Sequence, residues 1–200
     1  LFVGFYKYGD SLLGVMANPF YLDIGFTKAQ IGIVSKTYGV VMTLAGTALG
    51  GVLVARKGIL KTLLLGGVLQ AASNLTYSLL AWSAPVQPPI PMAPVQPSLG
   101  MFALTIAAEN LSGGLASAAF VAYLSSLCNL AFTATQYALL SSLAAFVGKV
   151  LASGGGWLAD HVSWTWYFAL TTLAAVPGLA LLIWMIRRYP PQVKPEEGVE

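Results

Sequence analysis

Charged residues are scarce in this sequence of 200 residues: they make up 8%, while hydrophobic residues make up 57% and the mean hydropathy is +0.76. A soluble globular domain carries about 25% charged residues. This chain has too few to cover a water-exposed surface, so the composition predicts a membrane protein. The single cysteine, Cys128, excludes a disulfide-stabilised scaffold. The formal net charge of +3 is too small and too scattered to indicate a nucleic-acid-binding protein.

Long apolar runs take the place of the missing charge. A helix that crosses the hydrocarbon core needs about 20 mostly apolar residues. Six stretches meet this requirement: 1–22, 27–55, 60–83, 98–127, 133–159 and 164–186. We therefore predict an all-α membrane protein with six transmembrane helices. Away from their ends, the third and sixth stretches carry no charged residues and only scattered polar ones such as Gln70 and Asn74. We expect these two spans to be supporting helices against lipid.

Two strings occur twice, at corresponding places in the first and last three spans. FTKAQ at 26–30 matches FTATQ at 132–136, and GGVLVA at 50–55 matches GGWLAD at 155–160. Each of the first pair has the form of a helix-capping box, in which Thr and Gln satisfy each other's backbone donors. Chance recurrence of caps and glycine-rich helix ends is the alternative. Because three is odd, two such units have opposite topology, and inverted repeats of this kind build many secondary transporters.

The basic residues outside the spans predict the orientation, because lysine and arginine favour the cytoplasmic side. Six spans place two basic regions on one side: Arg56, Lys57, Lys61, Arg187, Arg188 and Lys194. We predict a first three-helix repeat at 1–83, a proline-rich periplasmic linker at 84–97, a second repeat at 98–186 and a cytoplasmic tail at 187–200. The chain begins at Leu1 without the features of a signal peptide, and we expect it to be part of a longer protein.

Five ionisable residues fall within the predicted spans: Lys7, Asp10, Lys36, Glu109 and Lys149. Such residues are costly in lipid and usually functional. At 1.5 Å per residue, Asp10 and Glu109 lie near the midplane, where a carboxyl group could take up and release protons. Lys7 lies three residues before Asp10, which allows an ion pair on one helix face. Pairing of either acid with Lys149 is a structural alternative, and we expect Lys36 and Lys149 each to face a polar cavity or an acid.

The sequence offers no catalytic or metal-binding pattern. His161 is the only histidine, and we interpret it as a surface residue beside Asp160. No phosphate-binding glycine loop follows a strand, and no serine has a base partner. We therefore predict neither an enzyme nor a bound metal or cofactor.

The loop GVLVARKG at 51–58 resembles the cytoplasmic signature of major facilitator transporters, with Gly51, Arg56 and Gly58 in place. Ala55 stands where that signature usually has an acid, which puts a charge-relay role for the loop in doubt. The resemblance implies that the six spans are one half of a major facilitator fold, and that the six-helix N-terminal half is absent from this chain.

Longer strings resemble the AmpG muropeptide permeases: YKYGD at 6–10, PFYLDIGF at 19–26, ENLSGG at 109–114, AFVAYL at 119–124, LCN at 127–129 and FTATQYALL at 132–140. The resemblance implies proton-driven import of anhydromuropeptides across the bacterial inner membrane for peptidoglycan recycling. It also implies that Asp10 and Glu109 face a central cavity. Tyr6, Asn110 and Gln136 are then candidates for hydrogen bonds to the solute, and Lys36 and Lys149 for counter-charges.

Two other functions stay open. A related solute carrier for another substrate, such as acetyl-CoA, would have the same spans and charges. A membrane subunit that transports nothing would have the spans without the need for a second half.

Overall fold

The computed structural model describes residues 2–84, 97–128 and 133–188, and these form helices joined by short turns. In chain order the elements are α1 (Phe2–Tyr6), α2 (Tyr8–Asp23), α3 (Lys28–Ile31), a π-helical segment (Gly32–Tyr38), α4 (Gly39–Lys57), α5 (Ile59–Ser83), α6 (Leu99–Ser126), α7 (Thr133–Ala152), α8 (Gly155–His161), α9 (Trp164–Ala174) and α10 (Val176–Arg188).

These elements make up the six predicted spans. The first span is α1 and α2, the second runs from α3 to α4, the third is α5, the fourth is α6, the fifth is α7 and α8, and the sixth is α9 and α10. Five described helices, the second to the sixth spans, are long and apolar enough to cross a membrane. The first span is interrupted at Lys7. The prediction of an all-α membrane protein is confirmed, and the observed boundaries differ from the predicted ones by at most two residues.

The second span begins with the capping box that the sequence predicts. The Thr27 hydroxyl accepts a hydrogen bond from Gln30 N at 3.3 Å, and Gln30 Oε1 accepts one from Thr27 N at 2.9 Å. Gly25 makes the turn before it with φ of 103°, which favours glycine. The matching box depends on the Thr133 side chain, which lies outside the described part of the chain.

The packing of the spans has a two-fold pattern. The second span packs on the fourth, and its counterpart, the fifth, packs on the first. The third span packs on the fourth, and its counterpart, the sixth, packs on the first. Exchanging the two groups of three therefore maps the contacts onto each other, as an inverted repeat requires. The bounds of the repeats remain predictions, and 85–96 in the linker and 189–200 in the tail lie outside the described residues.

Glycines bring the second and fourth spans into close contact. A Cβ added at Gly46 would collide with the Leu111 carbonyl, and one at Gly114 would collide with the Thr43 carbonyl. Small residues at crossings allow this approach between helices in lipid.

Two apolar clusters lie at opposite ends of the bundle. We call the end that carries Arg56, Lys57, Lys61, Arg187 and Arg188 the basic end. Phe2, Leu63, Phe120 and Leu182 form the cluster near the basic end, and Phe20, Phe102 and Phe168 belong to the cluster at the opposite end. A layer of polar side chains separates the two clusters along the first, third and fourth spans.

The third span has the exposed apolar outer face that is expected of a supporting helix against lipid. Its inner face is nevertheless buried in the bundle, which its lack of deep charge does not predict. It packs against both α6 and α9, and Gln70 and Asn74 are 8% and 1% exposed. The reason is the glycine pair Gly66 and Gly67: a Cβ at Gly66 would lie 2.8 Å from Ala116 Cα, so α6 packs directly on the α5 backbone. Its inner face supplies polar groups to the site described next.

Candidate transport site

A polar cleft of about 180 Å³ lies between the apolar clusters. The first four spans all contribute to its walls: Lys7, Asp10, Thr43, Gln70, Glu109, Asn110, Gly113, Gly114 and Ser117. Asp10 and Glu109, which the sequence analysis singled out from opposite units, therefore line one cleft.

Asp10 is held by a cation and an amide. Lys7 Nζ lies 3.3 Å from Asp10 Oδ2 and also donates to the Ser117 hydroxyl at 3.0 Å. Gln70 Nε2 donates to Asp10 Oδ1 at 2.9 Å, so both carboxylate oxygens are bound. The predicted Lys7–Asp10 pair is confirmed.

The break between α1 and α2 positions this ion pair. Lys7 has φ of −96° and ψ of 6°, outside the regular helix. Its carbonyl accepts two hydrogen bonds from Ser11, from the backbone N and from the hydroxyl, each at 2.9 Å. The backbone carbonyl at the break therefore has its hydrogen-bond donors within the first span.

Glu109 is held by neutral groups. The Tyr77 hydroxyl donates to Glu109 Oε2, and the Tyr21 hydroxyl lies 2.7 Å from the Tyr77 hydroxyl. Because a hydroxyl has a single proton, Tyr77 bound in this way must accept from Tyr21. The result is a directed chain, Tyr21 to Tyr77 to Glu109, which starts in the aromatic cluster and ends in the cleft. Tyr77 is fully buried and Tyr21 is 2% exposed.

Sequence reasoning missed Tyr21, Tyr77 and the contact of Gln70 with Asp10. A signal for α5 was present, because Gln70, Ser73, Asn74 and Tyr77 recur at helical spacing and mark one polar face in an otherwise apolar span. Tyr21 gave no such signal, since it lies among aromatic residues.

The three solute-binding candidates have different settings. Asn110 lines the cleft, and its amide accepts from the Thr43 hydroxyl at 2.9 Å and donates to the Ile106 carbonyl at 2.9 Å. The Tyr6 hydroxyl donates to the Leu63 carbonyl at 2.8 Å, and its ring stacks on Phe120. Gln136 is half-buried near the start of α7, away from the cleft lining.

The two other deep lysines do not form ion pairs with the acids. Lys7–Asp10 is the ion pair found within the described ranges, and Lys36 and Lys149 are exposed. The alternative pairing of either acid with Lys149 is wrong for this structure. The neighbouring residue gives the reason. Gly148 faces the first span, since a Cβ added there would lie 2.9 Å from Ser11 Oγ. The next residue of α7, Lys149, therefore points away from the two acids.

Lys36 has a distinctive backbone setting. It lies within the π-helical segment Gly32–Tyr38, and local π-helical turns frequently mark functional positions. Lys36 makes no ion pair with Glu109 within the described ranges.

The signature-like loop joins α4 to α5 at the basic end. Gly58 makes the connection with φ of 82°, and Arg56 is exposed. Gly51 faces open space on α4. In the described ranges no acid pairs with Arg56, in keeping with Ala55 at the position of the usual acid.

Elsewhere in the described residues, no group of three or more His, Cys, Asp or Glu side chains could hold a metal ion. His161 is exposed and stacks on Trp157, with ring centroids 4.3 Å apart.

The sequence matches one protein family along its whole length, and individual members of that family over most of it. The family model described as Major Facilitator Superfamily matches residues 1–200. The Anhydromuropeptide permease of Escherichia coli K12 is 37% identical over 185 residues, which cover 92% of this chain and 35% of that protein. The protein named AmpG 4 in Rickettsia conorii is 35% identical over 185 residues, covering 92% of this chain and 42% of that protein.

A further relative, AmpG 3 of Rickettsia prowazekii, is 34% identical over 188 residues, covering 94% of this chain and 42% of that protein. The chain thus spans about two-fifths of the length of the curated relatives it matches. Together with the all-helical bundle and its two-fold packing, the match along the whole sequence shows that this chain belongs to the major facilitator superfamily.

Proposed function

We propose that the whole protein is a proton-coupled importer of anhydromuropeptides for peptidoglycan recycling, and that this chain forms its C-terminal six-helix half. The observation that carries the proposal is the cleft between the apolar clusters, in which Asp10 and Glu109 lie together at mid-depth. The family and the permease name of the Escherichia coli relative support the substrate class. The permease name of that relative also agrees with a carrier rather than an enzyme.

The two acids have separate roles in this proposal. Asp10 is compensated by Lys7 and bound at both oxygens, so the ion pair as a whole fixes the first span to the third and fourth. Glu109 accepts a hydrogen bond from Tyr77 at Oε2. Its carboxyl group also lines the cleft. Glu109 is therefore the group that exchanges a proton, and movement of the two halves exposes it to each side in turn.

The cleft needs a second wall. Its lining comes from four spans of this chain and it is open on one side, and major facilitator cavities form between two halves. We expect this chain alone not to transport, and the solute to meet Asn110 and Lys36 only when the N-terminal half is present.

The test uses the full-length protein in proteoliposomes with a labelled anhydro-disaccharide peptide. We expect uptake that a protonophore abolishes and that unlabelled anhydro-disaccharide competes for. Uptake that is insensitive to the protonophore would contradict proton coupling. Competition by acetyl-CoA, with none by the anhydro-disaccharide, would favour the alternative carrier for CoA thioesters.

We further propose that the basic end is cytoplasmic in the bacterial inner membrane, so that the C-terminus lies inside. Lys57 and Lys61 share a cavity with Ile186, so both basic regions lie at one end of the bundle. In a Cys128→Ser background, a cysteine introduced at Ser98, next to the linker, should react with a membrane-impermeant reagent added to spheroplasts. Protection at Ser98 together with labelling of a cysteine at Lys57 would reverse the orientation.

A further inference from the structure

A cavity larger than the polar cleft lies at the basic end of the bundle, away from that cleft. It has a volume of about 520 Å³ and is lined by Lys57, Gly58, Ile59, Leu60, Lys61, Tyr123, Ser126 and Ile186. Three elements converge on it: the first turn of α5, the last turns of α6 and the end of α10. Its volume is within the range of about 300–1,000 Å³ that is typical of small-molecule sites.

The start of α5 presents unpaired backbone donors to this cavity. Gly58 is the N-cap and supplies no side-chain hydrogen bond, and the first backbone bond of the helix runs from Thr62 N to the Gly58 carbonyl at 3.2 Å. The N–H groups of Ile59, Leu60 and Lys61 therefore have no partner within the helix. The N-terminus of a helix of this length carries a partial positive charge and favours a phosphate group.

Tyr123 is a second, independent indication of a ligand. Its side chain is 8% exposed, its ring packs edge-on against Phe2 with centroids 5.3 Å apart, and it lines the cavity. Its hydroxyl makes no hydrogen bond within the described residues, whereas the buried hydroxyls of Tyr6, Tyr77 and Tyr167 are all bonded. The hydroxyl atom itself is accessible, so it opens into the cavity and can donate a hydrogen bond to a polar group there.

The charges around the cavity specify the sign of that partner. Lys57 and Lys61 lie on its rim, and Arg187 and Arg188 follow Ile186 directly. Among the described residues, no acidic side chain lines the cavity. The interior is apolar, with Ile59, Leu60 and Ile186 among its walls. The ligand that fits must therefore combine an anionic head with a hydrocarbon body.

We propose that this cavity binds an anionic phospholipid. The phosphate lies at the start of α5 between Lys57 and Lys61, the Tyr123 hydroxyl donates to an ester or phosphate oxygen, and an acyl chain occupies the apolar interior beside Ile186. Basic pockets between transmembrane helices are suited to such head groups, and the long lysine side chains reach the head-group level while their stems cover apolar surface. The site is separate from the transport cleft, so this inference does not rest on the proposed function.

The test is native mass spectrometry of the full-length protein with phosphatidylglycerol and with phosphatidylcholine. We expect one phosphatidylglycerol to be retained in preference to phosphatidylcholine. The Lys57→Gln, Lys61→Gln variant should lose about thirtyfold in that preference, since each basic residue near a membrane surface contributes about a factor of five to anionic-lipid binding. Lys28→Gln, an exposed lysine at the opposite end, should change it little.

Two further variants distinguish lipid binding inside the cavity from retention of lipid by surface charge alone. Ile186→Trp fills the cavity and keeps every charge, and Tyr123→Phe removes only the hydroxyl; both should reduce retention of phosphatidylglycerol. Wild-type retention in Ile186→Trp would overturn the proposal, because it would mean that the lipid is held by surface charge alone. An equal loss in Lys28→Gln would overturn it for the same reason. Complete displacement by millimolar inorganic phosphate would assign the site to a free anion.

Discussion

The two acids of the cleft differ in how the chain surrounds them. Asp10 has a cation at 3.3 Å and an amide at 2.9 Å, so its charge is compensated within the first three spans. Glu109 has a neutral phenol as its hydrogen-bond donor and makes no ion pair within the described residues. An ion pair fixes a geometry, whereas an acid without a close counter-charge can change its protonation state without leaving another charge unpaired. In the proposed function, this difference makes Asp10 the structural acid and Glu109 the coupling acid.

Breaking the ion pair should clearly destabilise the protein. Lys7→Met leaves Asp10 without its cation, and we expect a loss of about 2 kcal/mol, between the values for surface and fully buried pairs. Thermal unfolding of the full-length protein in detergent measures it. The Lys7→Met, Asp10→Asn double variant has no unpaired charge and should recover most of the loss. A double variant as unstable as the single one would show that the pairing is not what stabilises this region.

Removing the phenol beside Glu109 should affect both stability and coupling. Tyr77→Phe leaves the Tyr21 hydroxyl and one Glu109 oxygen without their partner, at a cost of about 1–3 kcal/mol. Tyr167→Phe is the matched control, because that hydroxyl is also buried and donates to the Leu12 carbonyl at 2.7 Å. Only Tyr77→Phe should shift the pH profile of uptake. Equal shifts in the two variants would assign Tyr77 a packing role alone.

The smallest effect concerns two neighbouring amides on α5. Gln70→Leu removes the donor to Asp10 and should cost about 1 kcal/mol. Asn74→Leu should cost less or stabilise, because neither amide atom of Asn74 has a hydrogen-bond partner in the described residues. The comparison is made by thermal unfolding of the two variants in parallel. A greater loss for Asn74→Leu would mean that its amide makes a contact that Gln70 lacks.

The fold and half of the site could be predicted from sequence because they depend on local patterns. Apolar run length sets the spans, the Thr27–Gln30 spacing sets a cap, and the three-residue spacing of Lys7 and Asp10 sets their pairing. The orientation of Lys149 could not be predicted, because a helix that is apolar on all sides has no preferred rotation in its sequence. Tyr77 and Tyr21 reach Glu109 through contacts between distant spans, which no local spacing encodes.

The coupling role of Glu109 is tested most directly by the proton movement that accompanies solute uptake in proteoliposomes, measured with a trapped pH indicator. The full-length protein should move protons with the anhydromuropeptide. Glu109→Gln should abolish this coupled movement, while the Lys7→Met, Asp10→Asn variant and the exposed control Asp160→Asn should retain it. Coupled proton movement that persists at the wild-type level in Glu109→Gln would contradict the assignment of Glu109 as the coupling acid.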